Sequence, residues 1–230
     1  MSLGRILSAV AMAAMMAHGA VAEPPTGSRM GNRLKKVENF SGRDPYALAF
    51  RSAGCAAALK ESYVRAVLDA PSMEERQKAR QRISTLYNCS MAYFFGGEAE
   101  EIRYSMDQTI LDGMYAEAVL EKHKEARNLP AMPIVADYTR PWFALSSRNP
   151  VMNEVATCVV SSAPAQTFAL FDTKINSEEE MGAARGMSTV LGQCVPANVE
   201  LAVEPRTLRS ALGEAMYHRV YDAPVTTAVA

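Results

Sequence analysis

What this 230-residue chain has little of narrows its chemistry first. It holds three histidines, one tryptophan and four cysteines. No two cysteines stand as Cys-x-x-Cys and no histidine lies close to one, so the ligand spacing of a zinc site is missing and no metal is expected. There is no Gly-x-Ser-x-Gly, no phosphate-cradling glycine loop and no His-Glu-x-x-His. Three common routes to hydrolysis and nucleotide binding are thereby removed, and no cofactor is implied. Neither sign of charge dominates: 24 Lys plus Arg face 25 Asp plus Glu, where a dedicated nucleic-acid binder would be distinctly basic. Apolar runs of membrane length are absent as well. The run Ile6–Ala17 (ILSAVAMAAMMA) would make a helix of about 18 Å, too short for a hydrocarbon core of about 30 Å.

That same run reads as an export signal. Arg5 precedes it and Ala20-Val21-Ala22 follows it, the small residues at which a signal peptidase cuts. Residues 1–22 are therefore expected to be a cleaved secretory signal. The mature product is expected to be soluble, periplasmic or secreted, with no integral membrane segment and no nucleic-acid partner. Four cysteines in an exported chain imply two disulfides. Residues 23–43 carry turn formers and four basic residues, Arg29, Arg33, Lys35 and Lys36, and are expected to form a flexible N-terminal arm.

What is present is a repeat. Ser177–Cys194 (SEEEMGAARGMSTVLGQC), laid without a gap on Ser72–Cys89 (SMEERQKARQRISTLYNC), matches at seven of 18 positions. Each copy opens with Ser-x-x-Glu, the capping box in which a hydroxyl and a carboxylate satisfy free N–H groups at a helix start. Upstream, Asp44-Pro45 and Asn149-Pro150 are matching helix starts. Cys55 stands 14 residues before Asp69, and Cys158 stands 14 before Asp172. Downstream, Leu111–His123 aligns with Leu208–Val220. Leu111, Met114, Tyr115 and Ala118 fall at i, i+3, i+4 and i+7, as do Leu208, Ala211, Leu212 and Ala215. Ser105 with Gln108, and Pro205, mark the starts of these third helices.

The fold class expected is all-α: two pseudo-symmetric three-helix units, 44–127 and 149–221, each closed by a disulfide. The repeat favours Cys55–Cys89 and Cys158–Cys194, although a crossed pairing is equally symmetric. Pro164 stands where Glu61 stands in the first copy, so the second copy is expected to break near Ser162-Ala163 and to depart from the first mainly there. Residues 128–148 form a connector that is stiff and apolar, with Pro130, Pro133, Pro141, Ile134, Val135, Trp142, Phe143 and Leu145, and is expected to lie against the units. A short tail follows over 222–230. Tyr93-Phe94-Phe95-Gly96-Gly97 reads as a core plug at a turn, and Val199–Val203 as a short extended run. The ten methionines after residue 22 form no Met-x-x-Met cluster and read as core filler.

Few residues are candidates for chemistry. Glu117 and Glu214 occupy equivalent repeat positions, and if the units pack about a twofold axis the two carboxylates would meet in a cleft and do acid–base work. The plainer reading makes each the wet edge of a helix. His123 and His218 lie near the ends of third helices, where a positive charge suits the helix dipole. Arg76, Lys78, Arg80 and Arg82 read as solvated surface.

The series [Asp/Asn]-Pro, Cys, Asp, Ser-x-x-Glu, Cys and a closing Leu-Arg-x-Ala-Leu-x-Glu-Ala helix, here Leu208–Ala215, resembles a group of uncharacterised exported bacterial proteins in which such a unit recurs. The resemblance covers roughly 150–221 well and 44–123 as a degraded copy. It implies export and a helical architecture, and brings no activity with it. The function expected is a non-catalytic binding or interaction module with a protein or small-molecule partner in the cell envelope. The alternative is an envelope hydrolase using Glu117 and Glu214.

Overall fold

Capping residues set where the helices begin. The computed structural model describes residues 44–89, 107–197, 199–201 and 203–222. Within them run α1 (Pro45–Leu68), α2 (Met73–Ser84), α3 (Gln108–Lys122), α4 (Pro150–Ser162), α5 (Pro164–Phe171), α6 (Glu178–Gly186), α7 (Ser188–Cys194) and α8 (Pro205–Tyr221). The expected signal, the arm, the Tyr93–Gly97 plug and the tail beyond Asp222 lie outside the described residues. Asp44 accepts the Tyr46 N–H at 3.0 Å and Asn149 the Val151 N–H at 2.9 Å, so both Asx-Pro starts cap as expected. Ser72 accepts from Glu75 N at 3.2 Å and Ser177 from Glu180 N at 3.1 Å. The reciprocal half of each capping box is not made. Glu180 takes the Asn176 N–H at 2.6 Å and Glu75 takes Lys78 at 3.0 Å. The third helix of the first region is capped by Asp107, which accepts both the N–H and the hydroxyl of Thr109, and so starts later than Ser105 implied.

Pro164 is not the departure the sequence pointed to. The second region does break there, between α4 and α5, with Ala163 at φ −136°, ψ 55°. Yet Lys60, at the equivalent place inside α1, has φ −148°, ψ 64°. The bend therefore belongs to both regions, and the proline ring is accommodated as the first residue of a new helical segment, where its missing N–H is not needed. The actual departure comes later. α2 runs unbroken to Ser84, whereas its counterpart splits into α6 and α7 at Met187, so the second region carries five helices where three were expected. Disulfides join Cys55 in α1 to Cys89 in the 3-10 turn after α2, and Cys158 in α4 to Cys194, the last residue of α7.

α3 and α8 are the central pair, with α1 packed on α3 and α4 on α8. They approach at backbone distance because the crossing is lined by Gly113, Ser210 and Gly213. A Cβ on Gly113 would overlap the main chain of Ser210, and one on Gly213 would sit 2.7 Å from the Gly113 carbonyl oxygen. The Ser210 hydroxyl donates to the Thr109 carbonyl at 2.6 Å across this contact. The connector lies against the helices through Tyr138, Trp142 and Phe143, all buried. Ile134 and Val135 do not join them. Both are exposed, in an extended stretch pinned by Met132 N–H on the Ser161 carbonyl and Val135 N–H on the Tyr138 hydroxyl. Val199–Leu201 and Val203 have no strand partner. Among the described residues, no helix is long and apolar enough to cross a membrane.

Candidate functional site

The glutamates singled out by the repeat are neither wet nor together. Glu117 on α3 is 2% exposed and Glu214 on α8 is 0% exposed. Each sits in its own ionic cluster, on opposite sides of the glycine crossing. Arg209, from α8, grips Glu117 with Nε on Oε2 at 2.9 Å and Nη2 on Oε1, and reaches Glu180 with Nη1 at 2.9 Å. Its remaining donors go to the carbonyls of Phe171 and Thr173. One cation thus serves two carboxylates. Burial pushes the Glu117 carboxyl up to about 7, with Arg209 opposing the shift.

The Glu214 cluster has the opposite balance. Arg76 from α2 and Arg148 from the connector each donate to one of its carboxylate oxygens. Arg76 also lies 3.3 Å from Asp112, which Arg80 holds with a paired contact that includes an Nε bond of 3.2 Å. Three cations serve two carboxylates. Burial alone would raise the Glu214 carboxyl, but Arg148 and Arg76 outweigh it and hold it down at about 2. Arg148 further donates to the Thr109 carbonyl and to Ser210 Oγ at 3.0 Å. Arg76, 1% exposed, is therefore part of the core and Arg80, half-buried, is tied to it through Asp112, contrary to their reading as solvated surface; Lys78 and Arg82 on the same helix are exposed. Arginine locks every oxygen of the two glutamates, so the shared acid–base cleft is not formed.

A different place has room for a ligand. Where the connector crosses the end of α8, a cleft of about 350 Å³ opens between Pro130, Met132, Arg140 and Trp142 on one side and Thr157, Ser161 and His218 on the other. His218 stacks face to face on Trp142 with centroids 4.6 Å apart. Its Nδ1 lies 3.1 Å from both carboxylate oxygens of Asp222, so in the neutral ring Nδ1 carries the proton and Nε2 a lone pair. That Nε2 is buried and has no hydrogen-bond partner. Arg219 closes the floor by donating to the carbonyls of Val160 and Pro130. A larger apolar groove of about 540 Å³ runs between α6, α7 and the start of α8, lined by Met181, Leu191, Val203 and Leu208, with Arg185 the one charge among its described residues. It lacks the convergent polar groups that orient a small ligand.

His123 ends α3 as expected, between Glu61 at 3.1 Å and Glu125 at 3.0 Å. His218, given the same bland role, is instead the centre of the cleft. The signal was present in the sequence. Glu214, His218 and Asp222 recur every four residues along α8 and its C-cap, and Asn153, Thr157 and Ser161 do so on the buried face of α4. Two polar stripes at helical spacing inside apolar helices mark a lined interior. Among the described residues, no group of three or more His, Cys, Asp or Glu is placed to hold a metal ion. Neither a family model, nor a curated protein, nor a solved structure matches this chain.

Proposed function

We propose that this chain is an exported, non-catalytic binding module whose small-molecule ligand enters the cleft beneath the connector. One observation carries the reading: His218 is 7% exposed, stacked and oriented, yet keeps an unpartnered ring nitrogen at a cleft large enough for a ligand. A buried polar atom without a partner costs free energy that a bound molecule recovers. The residues with acid–base potential elsewhere, Glu117 and Glu214, are held by arginine. Export by residues 1–22 to the periplasm or medium agrees with both disulfides, which form in oxidising compartments. The reading also takes 44–127 and 149–221 as copies of one unit, as in the group of exported proteins that the sequence resembles. Matching caps, the shared bend at Lys60 and Ala163 and the paired cysteines support this.

The test is native mass spectrometry of the mature protein after exposure to a small-molecule extract of the envelope. The expected result is a retained, unmodified ligand of low mass. An extract compound converted to product would instead establish an enzyme, and no retained mass would remove the binding reading.

A further inference from the structure

Resting on that reading, the chemistry of the cleft narrows its ligand. We infer that it is a small monocarboxylate with an apolar, ring-sized body and a hydroxyl donor next to the carboxylate.

Charge decides the first part. Among the described residues, four ionisable side chains line the cleft: Arg140, His218, Arg219 and Asp222. Asp222 is engaged by His218, and both terminal nitrogens of Arg219 are engaged by main-chain carbonyls. Among the described residues Arg140 donates only to the carbonyl of its neighbour Thr139, at 2.8 Å, is half-buried, and has Asp137 as a charged neighbour beyond ion-pair distance. Its remaining donors form a planar fork that fits a carboxylate in two parallel bonds. With two arginines and one aspartate the fixed charge of the lining is +1, which matches a monoanion. A phosphate dianion would exceed it and face the Asp222 carboxylate.

Hydrogen-bond direction decides the second part. With Nδ1–H committed to Asp222, the free Nε2 of the neutral ring accepts and does not donate. A carboxylate cannot satisfy it; an O–H or N–H can. The hydroxyl of Thr157 is already given to the Asn153 carbonyl at 2.8 Å, so it does not serve as that donor.

Size and surface decide the third. Leu129, Pro130, Met132 and the Trp142 ring supply the apolar wall. A volume of about 350 Å³ lies at the small end of ligand pockets, which run from about 300 to 1,000 Å³. One ring and a short polar arm are accommodated there.

Trp142 is the chain's one tryptophan and forms part of the wall, so its fluorescence reports occupancy directly. Three probes separate the requirements: 3-phenyllactate has ring, carboxylate and hydroxyl; 3-phenylpropionate lacks the hydroxyl; 2-phenylethanol lacks the carboxylate. On the mature protein, phenyllactate should bind tightest and each of the others about tenfold or more weaker. Arg140→Gln, at a half-buried position, should weaken phenyllactate about tenfold while leaving phenylethanol unchanged. Arg140→Lys should recover part of the loss, because it keeps the charge without the fork. Equal affinity for phenyllactate and phenylethanol, or an Arg140→Gln effect that is the same on both, would overturn the inference. If none of the three changes Trp142 emission while an envelope ligand remains bound in the mass spectrum, the ligand class is wrong and the binding reading stands. If neither binds, both fall.

Discussion

The clusters around Glu117 and Glu214 are built at equivalent positions of two aligned helices, and they titrate in opposite directions. Both carboxyls are buried, both are gripped by arginine, and both flank the same glycine crossing. What differs is stoichiometry: one arginine among two acids beside Glu117, three among two beside Glu214. The source of the cation differs as well. Position 112 of α3 is aspartate, whereas its counterpart on α8 is Arg209, so the Glu117 cluster draws its cation from the opposite helix while the Glu214 cluster takes its cations from α2 and the connector. Burial raises both carboxyls, and the arginines on Glu214 reverse the shift there while Asp112 in the same cluster stays raised, so each acid follows its own neighbours rather than burial alone.

The largest test removes each acid in turn. Glu214→Gln leaves Arg76, Arg80 and Arg148 against Asp112 alone, and is expected to cost about 3–5 kcal/mol. Glu117→Gln leaves Arg209 paired with Glu180, one against one, and is expected to cost less than about 1 kcal/mol at pH 7. Urea unfolding of the two variants measures both; equal losses would mean that stoichiometry does not govern the clusters.

The pH profile sharpens the same contrast. The folded pKa of Glu117 is raised, so its contribution is complete below the ordinary carboxyl value near 4.5 and is lost as pH rises through about 7. That of Glu214 is lowered, so its contribution is present above about 4.5 and is lost as pH falls through about 2. Each shift corresponds to about 3 kcal/mol, as an order of magnitude. Unfolding free energy measured from pH 3 to 8 should fall between pH 5 and 7, and Glu117→Gln should flatten that fall without changing the acid limb. A wild-type profile flat over that window would contradict the raised carboxyl.

Below these lies the crossing itself. Gly113→Ala places a methyl against the Ser210 main chain and should cost about 1–3 kcal/mol by overpacking, even after the helix-propensity gain. Gly182→Ala on α6 meets nothing within 4 Å and should gain up to about 1 kcal/mol. Thermal melts of the pair report both signs. The smallest effect compares the caps: Ser72→Ala and Ser177→Ala should each lose about 1 kcal/mol, since each hydroxyl holds one N–H at similar distance. A difference of more than about 1 kcal/mol between them would show that the two helix starts are not equivalent.

Local signals were legible in the sequence and long-range ones were not. Asp44, Asn149, Ser72 and Ser177 announce helix starts because a cap involves residues two or three apart. The disulfide partners followed from the repeat. The bend at Lys60 carries no proline or glycine, so nothing in Leu59-Lys60-Glu61 marks it. Arg76 and Arg80 were misread because a run of alternating basic residues suggests a broad wet face, although four residues apart they share one side of α2. Arg148 could not be placed at all: a connector arginine reaching Glu214 and Thr109 depends on how the whole chain folds. The same holds for the cleft, whose Trp142 and His218 come from separate segments.

The bend, the caps and the staples are all made within one region; the glycine crossing is not. Each disulfide closes a separation of 34 or 36 residues, whereas Arg209–Glu117 spans 92 and Arg76–Glu214 spans 138. Contacts that close long loops form late, because the entropy of closure falls on them before packing rewards it. Assembly is therefore expected to be ordered in time: each region would oxidise on its own while its arginines and acids are still hydrated, and the ionic seam would be sealed only when α3 and α8 meet. Until that moment the faces waiting to join carry charge, which keeps a half-assembled molecule from sticking to its neighbours.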